Sequence, residues 1–228
     1  MQLDASPGSY VSEFFTKAQR LLQSEFETTS LANRIEEAVV TTELSDQQSE
    51  FIHNRNMFYL STTDELGYPS CSYKGGHSGF VRVLNSATIV FPNYDGNGMF
   101  MSMGNIEARV KVGLLFIDFE TPQRLRLRGR ARCLREGPML NAYPGANLVV
   151  EVSLDHVWVN CPRYVHRMQA METSPYLPGK DGKVPLALWK RVDLVQDVLR
   201  EEDRAEAEVL GLITIEEYEN YVAAGKLN

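Results

Sequence analysis

Residues 57–63 read Met-Phe-Tyr-Leu-Ser-Thr-Thr, an aromatic, apolar and β-branched run that predicts a β-strand. The turn residues Asp-Glu-Leu-Gly at 64–67 separate it from a second predicted strand at 68–74, so the two form a hairpin. A second hairpin is predicted where residues 80–84 and 87–92 flank a tight Asn85-Ser86 turn. Residues 110–118 are almost continuously apolar, which is typical of a strand buried on both faces.

Two further strands are predicted outside this block, at residues 124–132 and 147–160. Six or seven strands joined mostly by short turns favour an antiparallel barrel, closed or partly open, over a doubly wound α/β sheet. We therefore expect a mainly β fold with flanking helices, of the α+β class. The predicted units are an N-terminal helical segment packing on the barrel (1–55), the barrel (56–170), and a linker with C-terminal helices (171–228).

Helical spacing of apolar residues marks the flanking segments and a short helix at 99–106. Ser45 with Gln48, and Thr214 with Glu217, have the spacing of capping boxes that open helices. The apolar residues at helical spacing are Phe14, Ala18, Leu21 and Leu22; Ile35, Ala38 and Val39; and Leu186, Trp189, Val192, Val195 and Leu199. We expect the N-terminal helices to cover the barrel without carrying chemistry, and we interpret the C-terminal helices as packing or dimer elements.

Composition argues against several classes of protein. A formal net charge of −7 would repel nucleic acid and anionic membranes, so neither is an expected partner. Three cysteines without CxxC spacing favour a reducing compartment over a disulfide framework or zinc site. Residues 1–8 lack the features of a signal peptide, and no apolar run reaches the length of a membrane span. We expect a cytoplasmic protein.

Every second residue from Arg124 to Arg132 is an arginine, and strand alternation puts all five guanidinium groups on one face. Like charges about 7 Å apart repel one another, so acids or an anion must lie among them. The carboxylates of the chain are one candidate, and a phosphate or a partner subunit is the other. Acids are favoured for most of the row, with Arg124 kept as a ligand contact.

The histidines lack metal-ligand spacing, so no metal site is predicted. His77 follows two glycines and has the best catalytic case of the four histidines, although an exposed surface residue is favoured. Cys71 and Cys133 are interpreted as small buried apolar residues, and Cys161 as structural.

A set of short motifs, taken in order, resembles the pyridoxamine 5′-phosphate oxidase-like family over about residues 50–167. The predicted helix at 10–23 is similar to one in an uncharacterised subgroup of that family. The motifs are Phe58-Tyr59-Leu60-Ser61-Thr62, Gly67-Tyr68-Pro69, Lys74-Gly75-Gly76, Gly79-Phe80-Val81-Arg82-Val83-Leu84, Phe91-Pro92-Asn93-Tyr94, Gly96-Asn97, Gly104-Asn105, Val112-Gly113-Leu114-Leu115-Phe116-Ile117-Asp118, Gly129-Arg130-Ala131 and Asn160-Cys161-Pro162-Arg163-Tyr164.

The resemblance implies an FMN-binding split β-barrel that works as a homodimer, with the flavin between the subunits. The cofactor-binding residues that it implies come from the second strand, from the loop after the fourth strand, and from positions further along the chain. They are Ser72, Tyr73 and Lys74; Phe91, Pro92, Asn93 and Asn97; Asn105 and Arg124; and Arg163 from the opposite subunit. No catalytic residue is implied, because the flavin carries the chemistry.

The chain departs from the oxidases proper in the phosphate loop, where Asp95-Gly96-Asn97-Gly98 replaces a serine and two basic residues. Lys74, Arg82, an arginine of the row or backbone N–H groups would have to take their place. The pattern around residues 163–167 also differs from the one that grips pyridoxal phosphate, so a pyridoxamine phosphate oxidase is not predicted. The expected function is an FMN-dependent oxidoreductase acting on a small substrate with an external electron donor. The alternative is a non-catalytic protein that stores or senses flavin or haem.

Overall fold

The structure is a computed structural model that describes residues 12–226. Seven strands form one sheet in the order β2-β1-β5-β6-β7-β4-β3, and every neighbouring pair is antiparallel. The strands are β1 (Met57–Thr63), β2 (Pro69–Gly75), β3 (Arg82–Asn85), β4 (Thr88–Tyr94), β5 (Lys111–Asp118), β6 (Gln123–Leu134) and β7 (Ala146–Asn160). Both predicted hairpins are confirmed as the β1–β2 and β3–β4 pairs.

The sheet curls around one apolar core. Phe58 on β1 lies 4.9 Å from Phe91 on β4 between ring centroids, although three strands separate β1 from β4 in the sheet order. Phe80 and Phe116 pack against the same ring at 5.9 and 5.0 Å. Both halves of the sheet contribute side chains to this aromatic cluster. The architecture is therefore the predicted split barrel of six or seven strands, here with seven, and β2 and β3 are its edges.

One prediction about the sheet is wrong. Strand β5 is not buried on both faces: Val112, Leu114 and Phe116 are buried, while the residues between them remain partly exposed. The apolar run of β5 therefore includes an outer face that this protomer covers only in part.

Seven α-helices flank the sheet within the described residues. They are α1 (Lys17–Glu25), α2 (Thr29–Val39), α3 (Asp46–His53), α4 (Met101–Ala108), α5 (Pro138–Asn141), α6 (Glu201–Leu210) and α7 (Ile215–Ala223). Both predicted capping boxes are present: Ser45 accepts from the N–H of Gln48, and Thr214 accepts from the N–H of Glu217. The short helix predicted at 99–106 begins and ends two residues later, as α4.

The N-terminal segment differs from its prediction. The helix expected at 10–23 begins only at Lys17, because Thr16 caps it by accepting from the N–H of Gln19; Tyr10 lies outside the described residues. Leu21 and Leu22 are 63% and 56% exposed rather than packed on the barrel. It is Phe14, before the helix, that contacts the sheet, with its ring 5.1 Å from that of Trp158.

A register shift divides the pairing of β6 with β7. Arg128 lies opposite His156, but Gly129 lies opposite Leu154, so β7 carries one extra residue at this point. A Cβ at Gly129 would collide with the carbonyl oxygen of Ser153, which explains why glycine occupies this close approach of the two backbones.

The predicted helix through residues 186–199 is instead two 3-10 helices, Leu188–Arg191 and Asp193–Val198. Val192 separates them because its backbone is extended and forms a parallel bridge with Ile213. Leu188, Val192 and Ile213 are buried together in a small core of their own. This bridge ties the C-terminal residues into one unit.

No helix in residues 12–226 is both long and apolar enough to cross a lipid bilayer. The division of the chain at residues 55 and 170 stays a prediction.

Candidate functional site

An open cleft of about 430 Å³ lies between edge strand β2, the end of β4 with the loop that follows it, and the N-terminal end of α4. Six of the ten predicted cofactor-binding residues line it, which brings together two segments about twenty residues apart in the sequence. These six are Ser72, Tyr73, Lys74, Pro92, Asn93 and Asn97.

Strand β2 supplies a polar wall. Ser70, Ser72 and Lys74 alternate along the strand and are half-buried, while Cys71 and Tyr73 between them are exposed. The hydroxyl oxygens of Ser72 and Ser102 are 3.0 Å apart, so this face of β2 is directed toward α4. Three polar side chains therefore converge on the cleft from one strand.

Lys74 is the cation of this wall. Among the described residues, no carboxylate forms an ion pair with it, and no lysine or arginine other than Lys74 lines the cleft. Burial lowers the pKa of its ammonium group, because the charged form loses hydration. A cation that lacks an internal counter-ion is suited to receive an anionic ligand.

The loop at 95–98 supplies another part of the lining. Asn97 accepts from the N–H of Met99 at 3.1 Å, and Gly98 has a φ of +76°, a conformation that favours glycine. Asn93, at the end of β4, donates to the side chain of Asn147 at 2.9 Å. Met99, Phe100 and Met101 follow with exposed apolar side chains, so the lining of the cleft combines polar and apolar groups.

The sequence predicts that Asp95 lies in a loop without positive charge, but it does not predict the partner of this carboxylate. Its carboxylate lines the cleft and accepts from the ammonium group of Lys190 at 2.7 Å. Sequence pattern gave no signal for this contact, because the two residues are far apart along the chain. Other lining residues that the prediction missed include Ser70, two residues before Ser72 on β2, and Ser102 on α4, whose hydroxyl oxygen lies 3.0 Å from that of Ser72.

The remaining predicted residues lie elsewhere on the protomer. Phe91 is fully buried in the barrel core, so its side chain faces away from the cleft. Asn105 donates to the hydroxyl of Thr62 at 3.0 Å. Arg163 is exposed beyond the end of β7, with its guanidinium 5.9 Å from the ring of Tyr164.

Arg124 lines a second depression of about 270 Å³, together with Phe51, Pro122, Val159 and others. Its guanidinium donates to the carbonyl oxygen of Cys161, and its buried Nε has no partner among the described residues. The depression is thus mainly apolar, with one incompletely satisfied cation.

The arginine row is confirmed as one face of β6, but acids pair with only two of the five within residues 12–226. Arg130 bonds Asp155 at 2.9 Å, and Arg132 bonds Glu151 at 2.6 Å. Arg128 instead lies over the rings of Phe14 and Trp158 at 4.2 and 5.0 Å, and Arg126 lies 5.8 Å from Trp158. Aromatic faces supply much of the compensation that carboxylates were expected to supply.

The described residues contain no group of three or more histidine, cysteine or acidic side chains arranged to hold a metal ion. His77 is exposed, as favoured. Cys71 lies on edge strand β2 and is exposed rather than buried, and Cys133 is half-buried. Burial and the neighbouring Glu107 carboxylate raise the pKa of the Cys133 thiol to about 11.

Together the curled sheet and the cleft on its edge strand define a split-barrel protein with a candidate ligand site. The model of the family described as pyridoxamine 5′-phosphate oxidase matches residues 44–166, more than half of the chain. The chain belongs to this family of FMN-binding split barrels, whose members typically bind FMN. A search of curated proteins found no match.

Solved structures that are similar to this chain in fold are distant from it in sequence. A candidate pyridoxamine 5′-phosphate oxidase of Lactobacillus delbrueckii is 23% identical, with a TM-score of 0.44, over 52% of this chain and 95% of that one. HupZ of Group A Streptococcus is 17% identical, with a TM-score of 0.44, over 55% of this chain and 99% of that one. An FMN-binding protein of Syntrophomonas wolfei is 11% identical, with a TM-score of 0.38, over 61% and 97%.

Proposed function

We propose that this protein binds FMN in the cleft and acts as an FMN-dependent oxidoreductase on a small substrate, with an external electron donor. The observation that carries the proposal is the convergence of Lys74 and the β2 hydroxyl groups on a cleft that Met99, Phe100 and Met101 also line with exposed apolar side chains. A phosphate needs charge-assisted donors, and a flat ring needs apolar contact.

The residues present fit such a molecule. Lys74 and Ser72 would hold the phosphate, and backbone N–H groups of the loop at 95–98 would add donors. Met99, Phe100 and Met101 would contact the ring, since methionine and aromatic side chains adapt to a flat apolar surface. Asp95 opposes anion binding by its charge, but Lys190 neutralises it. When bound, FMN supplies the hydride or electron transfer that the side chains of the cleft do not.

The first experiment is spectroscopic. The purified protein, or the protein mixed with FMN, is expected to show the flavin absorbance bands and to quench FMN fluorescence. NADH or NADPH, alone or with a flavin reductase, is then expected to bleach the bound flavin, and a small acceptor to restore the colour. Absence of FMN binding would contradict the proposal. Binding without reduction by any donor would favour the alternative, a protein that stores or senses flavin.

We further propose that the complete site forms in a homodimer. Arg124 and Arg163 lie outside the cleft of their own protomer, and Arg124 carries a buried Nε without a partner in the described residues. Large apolar side chains of α1, α2 and the turn between them are also left exposed, including Phe26 in that turn at 69%. A partner subunit that covers this apolar surface and receives Arg124 at its flavin would account for the exposed side chains and for the position of Arg124 outside the cleft of its own protomer.

Subunit complementation tests this arrangement. Lys74→Ala and Arg124→Ala are each expected to weaken FMN binding, because each removes one half of every shared site. If the two variants are co-expressed, one site of each mixed dimer is intact, so about a quarter of all sites should regain wild-type affinity. Mixing the variants without any recovery, or a monomeric mass by light scattering, would contradict the shared site.

A further inference from the structure

A carboxylate stands at the mouth of the cleft, where it would repel an anionic ligand. Asp95 is exposed and lines the same cleft as Lys74. Left unpaired, its charge would offset Lys74, which among the described residues is the one lysine or arginine that lines the cleft. The cleft can attract a phosphate only if something neutralises Asp95.

The neutralising group comes from the C-terminal part of the chain. The side chain of Lys190 is only 8% exposed, and its ammonium group donates to Asp95 at 2.7 Å and to Asp203 at 3.1 Å. Arg200 bonds Asp203 at 2.9 Å and approaches Asp95 to 3.7 Å. Arg200 also pairs with Glu202 at 3.3 Å, so two cations contact three carboxylates in this network, and Asp95 is the one that comes from the cleft loop.

The network is held in place by backbone contacts. The Gln196 amide donates to the carbonyl oxygens of Lys190 and Val192, at 2.8 Å each, which fixes the turn that presents the ammonium group. Burial would raise the pKa of Asp203, but hydrogen bonds from Arg200 and Lys190, and their charges, outweigh it and lower that pKa. Asp203 therefore stays ionised at neutral pH and keeps Lys190 oriented toward the cleft.

We infer that Lys190 is a positioning residue for the anion site: it neutralises Asp95 and holds that carboxylate at the rim, so that the cleft accepts a phosphate. This rests on the proposed function, since FMN supplies the phosphate. Affinity for the cofactor is then set partly by the C-terminal segment, although Lys190 itself does not line the cleft.

A double-mutant cycle tests the inference with the full-length chain. Dissociation constants for FMN are measured by fluorescence quenching for the wild type, Lys190→Met, Asp95→Asn and the double variant. Lys190→Met is expected to weaken binding on the order of tenfold, because it leaves Asp95 with only the longer contact to the exposed Arg200. Asp95→Asn should bind at least as tightly as the wild type, and the double variant should recover nearly all of the lost affinity.

The pattern separates charge from packing. If the double variant bound FMN as weakly as Lys190→Met, the inference would be overturned, because Lys190 would then act through the fold. Wild-type affinity in Lys190→Met would also overturn it. Added salt should narrow the gap between Lys190→Met and the wild type. If Lys190→Met does not fold, Arg200→Gln on an exposed side chain replaces it, with an expected loss of about two- to threefold that Asp95→Asn again restores. Unchanged affinity in Arg200→Gln would then overturn the inference.

The proposed function can fail separately. If the wild type binds no FMN, the same four proteins are compared with inorganic phosphate as the probe, by calorimetry. The inference predicts the same order of affinities for phosphate. An order that does not depend on Asp95 would overturn it whatever the natural ligand is.

Discussion

Replacing Lys74 by alanine is expected to weaken FMN binding by roughly 10- to 150-fold, corresponding to the loss of about 1.5–3 kcal/mol from a charge-assisted hydrogen bond. Lys74 is the cation on the cleft wall, and no acid among residues 12–226 pairs with it. Fluorescence titration with FMN measures the change. Lys111→Ala is the matched control, because Lys111 is an exposed strand lysine outside the cleft and its loss should leave the affinity unchanged.

The same variant carries a pH signature. Burial lowers the pKa of Lys74 in the free protein, and a bound phosphate favours the protonated form. Affinity should therefore be greatest at pH values below that lowered pKa and fall as the pH rises through it. Lys74→Ala should lose this dependence. Full FMN loading of Lys74→Ala at every pH would show that Lys74 does not hold the phosphate.

Replacing Phe58 by alanine is expected to lower the free energy of unfolding by about 3–5 kcal/mol, a large share of the 5–15 kcal/mol typical of a whole domain. Phe58 is fully buried and contacts aromatic rings from both halves of the sheet, so its removal leaves a cavity where the barrel closes. Urea denaturation of the FMN-free protein, followed by tryptophan fluorescence, measures the loss.

Leu66→Ala provides the comparison for Phe58→Ala. Leu66 is 84% exposed in the β1–β2 turn, and its truncation should change stability by less than about 0.5 kcal/mol. A similarly small change for Phe58→Ala would mean that the two halves of the sheet do not share one core.

Local chemistry allowed much of the fold to be predicted. Period-two patterning, turn residues and capping boxes act between residues that are close together in the sequence. Both hairpins and the helices opened by Ser45 and Thr214 were therefore predicted correctly. Local spacing failed at Val192, where a tertiary backbone bridge to Ile213 replaced the helix that the apolar pattern indicated.

The candidate site was predicted less completely, because its balance of charge is a property of distant segments. The resemblance indicated β2 and the β4 loop, and the structure brings these together at one cleft. Nothing near Asp95 in the sequence indicates Lys190 as its partner. Likewise, alternation placed the five arginines on one face, but it carried no information that Phe14, from the N-terminal segment, would cover Arg128.

The one-residue register shift opposite Gly129 has a chemical consequence for the outside of the barrel. Before the shift, Arg126 and Arg128 meet Trp158 and His156; after it, Arg132 meets Glu151. A single inserted residue in β7 thereby splits a uniformly cationic strand into an aromatic half, which a neighbouring segment can cover, and an ionic half that remains hydrated. Strand β6 alone would present one repeating cationic surface. Its pairing with β7 divides that surface into an aromatic half and an ionic half, which differ in chemistry.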